Sequence, residues 1–180
     1  YVQMQIGDTK PELDMTKANS VDKWILARFN EVLDHVSTNM DKYELAIVGN
    51  ELYSFVWDDF CSWYVEMSKS ALNGEDALAK KGAQSTLYVV LTAIVKLLSP
   101  FMPFVCEEIY QTLPHTKESI CLESWPEKIT GIDVNYSRNI TLDSLAAITH
   151  INKFYLAHSF TECIGQSPIN YLTDRRLAAC

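Results

Sequence analysis

The chain has 180 residues, of which 48% are hydrophobic, and a formal net charge of -8 at pH 7. This length and composition are typical of a globular protein with one hydrophobic core or two small ones. The chain contains no run of eighteen apolar residues and no signal-peptide pattern, so we expect a cytoplasmic protein that does not contact a membrane.

The negative charge lies in the first part of the chain. Residues 1–128 contain 11 Lys and Arg against 19 Asp and Glu, whereas residues 129–180 contain four of each class. Neither part has the basic surplus that phosphate binding normally requires. If this chain binds nucleic acid, a local patch or further domains must supply most of the phosphate contacts, and we expect weak RNA affinity for this chain alone.

The cysteines do not form a metal-binding pattern. There are five, an odd number at wide spacings, and none belongs to a CxxC pair that would hold zinc. We expect free thiols in a reducing compartment, with Cys61 and Cys106 buried on helices. The four histidines are too scattered to propose a site.

Two long helices are predicted in the first 72 residues. The first spans about 21–40 after a linker, with Ser20 as its N-cap, and the second spans about 44–72 and ends at Asn73-Gly74. Both helices carry apolar residues at intervals of three and four, which predicts one buried face each. The predicted buried residues are Ile25, Phe29, Val32, Val36 and Met40 in the first helix, and Leu45, Val48, Leu52, Val56, Phe60, Trp63 and Met67 in the second.

The next elements are also helical. A third helix is predicted over about 76–98, where Ser99-Pro100 ends it, and a fourth over about 103–113, with Pro103 in its first turn. Residues 119–126, SICLESWP, are predicted to form a short extended segment. Long helices joined by short turns favour an all-α, up-down helical bundle.

The helices become shorter beyond residue 129. Short helices are predicted over about 142–148 and 153–163, joined by a tight turn and followed by Gly165, and another helix opens at Ser167-Pro168. This spacing indicates a small helix-turn-helix segment after the bundle. We therefore predict two domains, 1–128 and 129–180, with the boundary near 128–136.

Three segments of the first domain carry a family resemblance. They are WDDFCSWYVEMSK at 57–69, PFMPFVCEEIYQTLP at 100–114 and SICLESWP at 119–126. They resemble the anticodon-binding domain of class I aminoacyl-tRNA synthetases, and their wording is most similar to valyl-tRNA synthetases. The resemblance implies a bundle that binds tRNA(Val) within an enzyme that attaches valine to tRNA using ATP. The ATP-binding sequences of that family do not occur here, so we expect this chain to be non-catalytic and to hold no cofactor.

Candidate RNA contacts follow from the ring and charge positions. Anticodon loops present unstacked bases, which proteins bind by stacking on aromatic rings. Periodicity favours the core for Phe60 and Trp63, and leaves Trp57 and Tyr64 as candidate stacking rings. The candidate phosphate contacts are Arg28, Lys69 and Lys23. Each of these three has an alternative interpretation as an ordinary surface charge.

The last forty residues carry a second resemblance. From Leu142 the sequence LDSLAAITHINKFYLAHSFTECIGQSPINYLTDRRLAA is similar to the first helix-turn-helix motif of AraC-family transcription regulators. This resemblance implies an alternative function, a DNA-binding regulator that contacts DNA through residues 141–176. The base contacts would come from Asn152, Lys153, Tyr155 and His158 on the second helix of the motif. A third alternative is a helical scaffold that binds no nucleic acid.

Overall fold

The computed structural model describes residues 2–6, 11–132 and 152–167. The chain divides into two compact units, Tyr1–Asp133 and Val134–Cys180. Every regular element among the described residues is helical, which confirms the prediction of an all-α fold for these residues. None of the described helices combines the length and apolar content that a membrane span requires.

The first unit begins with a short helix and a long one. Helix α1 spans Val2–Ile6 and helix α2 spans Ser20–Asp41. The N-cap of α2 is Asn19, not Ser20 as predicted, because its side-chain oxygen accepts hydrogen bonds from the backbone N–H groups of Val21 and Asp22 at 2.8 and 2.9 Å. The Asp22 carboxylate accepts from the Asn19 N–H at 2.9 Å, which completes a reciprocal capping box.

The second predicted helix is continuous but changes type in its middle. Helix α3 spans Leu45–Ser54, a π-helical segment spans Phe55–Tyr64, and helix α4 spans Val65–Asn73. The wider π turn changes which residues face the core. Val56 and Trp63 in this segment, predicted to be buried, are only half-buried. Leu45, also predicted to be buried, is 49% exposed at the first residue of α3, where the π turn does not account for it. The predicted stop at Asn73-Gly74 is confirmed.

The remaining helices of this unit follow the predicted bounds closely. Helix α5 spans Ala77–Leu98 after the N-cap Asp76, and helix α6 spans Pro103–Gln111. Residues Ile120–Leu122 form a 3-10 turn, so the SICLESWP segment is not extended throughout as predicted. Cys106 is buried as predicted, whereas Cys61 is exposed.

The segment after the 3-10 turn runs back over three helices. The Glu123 carboxylate accepts from the Tyr110 hydroxyl of α6 at 2.6 Å and from Lys96 Nζ of α5 at 2.8 Å. Further on, the Asn30 side chain of α2 makes two hydrogen bonds to the backbone of Ile129, at 2.9 and 2.8 Å. Side chains of the bundle therefore fix the path of this segment.

The second unit is described over one helix. Helix α7 spans Lys153–Ile164, with the N-cap Asn152 accepting from the Phe154 N–H at 2.9 Å, and it ends at Gly165, whose φ of 80° is left-handed. The predicted helix at 153–163 is therefore confirmed to within one residue. The predicted helices at 142–148 and after Pro168 lie outside the described residues, and so does the turn of the proposed motif.

Two glycines of the bundle differ sharply in their surroundings. A Cβ on Gly82 of α5 would lie 2.3 Å from the backbone oxygen of Lys17, whereas a Cβ on Gly49 of α3 would meet nothing within 4 Å. We expect Gly82→Ala to lower the free energy of unfolding by about 1–3 kcal/mol, because backbone must shift to admit the methyl group. Gly49→Ala should raise it by roughly 0.5–1 kcal/mol, since alanine is the better helix residue. Urea unfolding of both variants tests this, and equal effects would contradict it.

Candidate nucleic-acid interface

Arg28 joins α2 to the next two elements through buried ion pairs. Its Nε lies 2.9 Å from Asp59 Oδ2 in the π segment, and its Nη2 lies 3.0 Å from Glu51 Oε1 in α3. A longer pair of 3.3 Å joins Nη1 to Glu31 on α2 itself. The arginine side chain is 13% exposed. Arg28 therefore binds protein carboxylates, and its predicted contact with an RNA phosphate does not fit this position.

The electrostatics of this cluster favour a permanently charged arginine. Burial alone lowers the pKa of Arg28, but the Asp59, Glu51 and Glu31 carboxylates raise it by more, so the net shift is upward. One guanidinium faces three carboxylates, and the cluster is correspondingly acidic rather than basic. It acts as a structural clamp between helices.

A second buried contact joins α2 to the end of the π segment. The Tyr64 hydroxyl donates to Asp22 Oδ1 at 2.6 Å, and the Tyr64 side chain is 0% exposed. Burial raises the pKa of Asp22 to about 6, although the hydrogen bonds from Tyr64 and Asn19 oppose this shift. Burial and the neighbouring Asp22 also raise the pKa of Tyr64. A fully buried ring offers no face to a base, so Tyr64 is a core residue here and not a stacking ring.

The π geometry explains why Asp59 and Tyr64, the two residues that anchor this segment to α2, both face that helix. Asp59 and Tyr64 are five residues apart, which on an α-helix would place them about 140° apart around the axis. In a π-helix the residues i and i+5 are hydrogen-bonded neighbours, so both side chains reach the same helix. The Ser62 hydroxyl, which donates to the carbonyl oxygen of Trp57 at 2.8 Å, supports the wider turn.

The same geometry leaves one surface without charge. Between residues 45 and 62 every exposed position is uncharged, while Glu51 and Asp58 are half-buried and Asp59 is buried. We call this surface the uncharged face. Its members are Leu45, Ala46, Ile47, Gly49, Asn50, Tyr53, Trp57, Cys61 and Ser62. In a chain of net charge -8, this surface suits the flat faces of bases better than phosphate.

The structure places the predicted RNA contacts apart. Trp57 lies on the uncharged face with 60% of its surface exposed. Lys69, on α4, is paired with Glu66 of the same helix, and Lys23 is half-buried in the first turns of α2. Sequence reasoning missed Tyr53, which is 67% exposed on the same helix face as Trp57. The spacing of four residues between the two rings was the signal that could have identified it.

A second exposed apolar patch lies around the start of α6. Phe104 is 89% exposed and Val105 is 56% exposed, and Phe101 and Met102 before them are 38% and 46% exposed. This patch is separate in sequence from the uncharged face, so it provides control positions for experiments on that face.

The residues predicted to contact DNA lie in α7 or, for Asn152, at its N-cap. Tyr155 is 67% exposed and His158 is exposed, and His158 Nδ1 lies 3.5 Å from a carboxylate oxygen of Glu162. Asn152 is exposed, and its side-chain oxygen accepts the Phe154 N–H of the helix cap. Lys153 is the first residue of the helix. An acidic partner beside His158 opposes phosphate binding there.

The chain can be assigned to a class by comparison with known proteins. Residues 22–157 match the family described as the anticodon-binding domain of tRNA ligase. This match covers more than half of the chain and includes the α2 anchors and the uncharged face. The chain therefore belongs to the family of tRNA-ligase anticodon-binding domains.

Within this class, the chain is similar to valine–tRNA ligases. It is 46% identical over 156 residues to that of Bacillus thuringiensis subsp. konkukian, an alignment that covers 84% of this chain and 18% of the relative. It is 54% identical over 121 residues to that of Bacillus subtilis, an alignment that covers 67% of this chain and 14% of the relative. It is 50% identical over 129 residues to that of Listeria monocytogenes, an alignment that covers 71% of this chain and 15% of the relative. The chain thus spans less than one fifth of the length of these relatives.

The AraC-like part of the sequence interpretation receives no support. The family match continues to residue 157, beyond the predicted boundary near 128–136 and into α7. Short amphipathic helices around a turn occur in many helical folds, so apolar spacing did not distinguish a helix-turn-helix from a continuation of this family. Among the residues that the structure describes, no three His, Cys, Asp or Glu side chains come together to hold a metal ion.

Removing the Arg28 side chain should destabilise the fold. We expect Arg28→Ala to lower the free energy of unfolding by about 3–5 kcal/mol, because it leaves carboxylates without their buried partner. Lys128→Ala is the matched control, since Lys128 pairs with Asp34 at 2.7 Å where both side chains are more than half exposed, and it should cost under about 1 kcal/mol. Urea unfolding measures both. Equal losses would show that Arg28 is not a clamp.

The raised pKa of Asp22 predicts a pH dependence of definite sign. The unfolded chain loses the Asp22 proton near its ordinary pKa of 3.8, whereas the folded protein retains it to about pH 6. The contribution of Asp22 to the free energy of unfolding therefore falls as pH rises between these values. Relative to Asp22→Asn, the native protein should lose about 2–3 kcal/mol between pH 4 and pH 7. Urea unfolding at each pH measures this difference, and a difference that stays constant would contradict it.

Proposed function

We propose that this chain is the anticodon-binding domain of a valine–tRNA ligase and that it binds the anticodon arm of tRNA(Val). The observation that carries this proposal is the family match over residues 22–157 together with 46–54% identity to valine–tRNA ligases. The exposed rings at Tyr53 and Trp57 supply the kind of surface on which unpaired anticodon bases stack.

The domain would contribute to tRNA charging through binding energy. In a longer protein of this family, the ATP-dependent attachment of valine would take place in the catalytic domain, and we assign no catalytic step and no cofactor to the residues described here. Binding of the correct anticodon would select the tRNA and position it for that reaction. The proposed setting of this translation function is the cytoplasm.

The charge distribution determines how the domain would bind. Arg28, a predicted phosphate contact, is paired with Asp59 and Glu51. Lys69, another predicted phosphate contact, is paired with Glu66. Two of the three candidate phosphate contacts are thus bound to carboxylates of the protein. We therefore propose that contacts to bases supply much of the affinity. The expected result is modest affinity with a shallow dependence on salt.

Selectivity among nucleic acids tests the function. We expect this protein to bind tRNA(Val) at least roughly tenfold more tightly than a tRNA with an unrelated anticodon, a ratio that corresponds to about 1.4 kcal/mol. A generic DNA duplex should bind more weakly than either RNA. Fluorescence titration of labelled nucleic acids at several salt concentrations measures all three affinities.

Two results would contradict the proposal. One is equal affinity for the two tRNAs at every salt concentration, which would indicate nonspecific binding. The other is tighter binding of the DNA duplex, which would favour the regulator hypothesis that the comparisons do not support.

A further inference from the structure

Gly49 is a helix glycine that the fold itself does not require. It lies inside α3 and is exposed, and a Cβ built on it would meet nothing within 4 Å. Its φ is not positive. A glycine inside a helix costs roughly 0.5–1 kcal/mol relative to alanine. Gly82, in contrast, is required by the backbone of residues 17 and 18. Neither packing nor backbone conformation accounts for Gly49. Close approach of a ligand to the backbone is one use of such a glycine.

The two exposed rings lie in line with this glycine. Gly49, Tyr53 and Trp57 are spaced four residues apart, so they follow one another along a single helix face. Asn50 lies beside them, three residues before Tyr53, and it is exposed. The face therefore combines a stretch of accessible backbone, one amide that both donates and accepts hydrogen bonds, and two accessible aromatic rings.

The support beneath these rings is rigid. Glu51 and Asp59, which flank Tyr53 and Trp57 in sequence, both bind Arg28 on α2, and Tyr64 at the end of the π segment binds Asp22. Rings held on an anchored helix lose little conformational entropy when a ligand stacks on them. The arrangement is that of a preorganised binding surface.

We propose that Gly49, Asn50, Tyr53 and Trp57 form a binding site for unpaired nucleobases of an RNA loop. The rings of Tyr53 and Trp57 each stack on a base, and the Asn50 amide forms hydrogen bonds with a base edge. Gly49 allows the ribose-phosphate backbone to approach the helix. This inference rests on the proposed function and adds the residues that would contact the bases of the loop.

The chemistry of the face favours RNA bases over other ligands. Every base has a flat face that can stack on an aromatic ring, so two exposed rings suit unpaired bases. Two of the three carboxylates of this stretch, Glu51 and Asp59, are paired with Arg28, so their charge toward an RNA strand is offset. The polar group needed to distinguish one base from another is present in Asn50.

The test is titration of the protein with a labelled anticodon stem-loop RNA of tRNA(Val). We expect Tyr53→Ala and Trp57→Ala each to weaken binding roughly tenfold or more. Asn50→Ala should reduce the discrimination between this RNA and one with a changed anticodon base. Phe104→Ala, which removes a still more exposed ring on α6, should bind like the native protein.

Gly49→Ala is the decisive variant because its two expected effects have opposite signs. Its urea midpoint should rise, since alanine favours the helix, while its RNA affinity should fall several-fold because the methyl group blocks close approach. A loss of binding in a more stable protein cannot result from unfolding.

The outcomes separate this inference from the proposed function. If the native protein binds the stem-loop and both ring variants bind within twofold of it, the inference is wrong and the proposed function stands. Unchanged RNA affinity of Gly49→Ala, or an equal loss in Phe104→Ala, would also overturn the assignment of this face. If the native protein binds neither the stem-loop nor tRNA(Val), the proposed function itself fails.

Discussion

Two buried polar contacts from α2 determine the arrangement of the bundle's aromatic helix. Arg28 binds Asp59 and Asp22 binds Tyr64, at 2.9 and 2.6 Å, and these partners lie five residues apart in the π segment. Only a widened turn directs both side chains toward one helix. Replacing a whole buried ion pair by apolar groups can be neutral for stability, whereas removing only one partner is costly. We regard the two anchors as the constraint that selects the π geometry over a straight α-helix.

The register set by these anchors separates the helix into two chemically different sides. The inner side contains Glu51 and Asp59 with their arginine, while the outer side, from residue 45 to residue 62, exposes no charge. The RNA contact proposed for the outer side would lie away from Glu51 and Asp59, whose charges are paired with Arg28. The same arrangement predicts that base stacking, and not phosphate attraction, dominates the affinity of this chain.

Sequence patterns predicted the helices well and the aromatic helix only in part. Caps, prolines and apolar spacing placed α2, α5, α6 and α7 within a few residues, because local interactions determine helix ends. A period of 3.6 residues per turn does not reveal the π segment. That period favours the core for Trp63 and leaves Tyr64 as a candidate stacking ring, whereas Tyr64 is buried and Trp63 is half-buried. The pairing of Arg28 with carboxylates 23 and 31 residues away was likewise invisible, since it depends on tertiary structure.

Stacking of RNA bases on the uncharged face is tested most directly by NMR. The indole N–H signals of the tryptophans are followed while an anticodon stem-loop of tRNA(Val) is added. The four indoles report on different places, because Trp57 is 60% exposed on the uncharged face, Trp24 is buried in α2, Trp63 is half-buried in the π segment, and Trp125 donates to Ser37 at 3.2 Å. We expect the Trp57 signal to shift and to reach saturation as RNA is added, while the signals of Trp24 and Trp125 stay in place. Saturable RNA binding that leaves the Trp57 signal unchanged would contradict it.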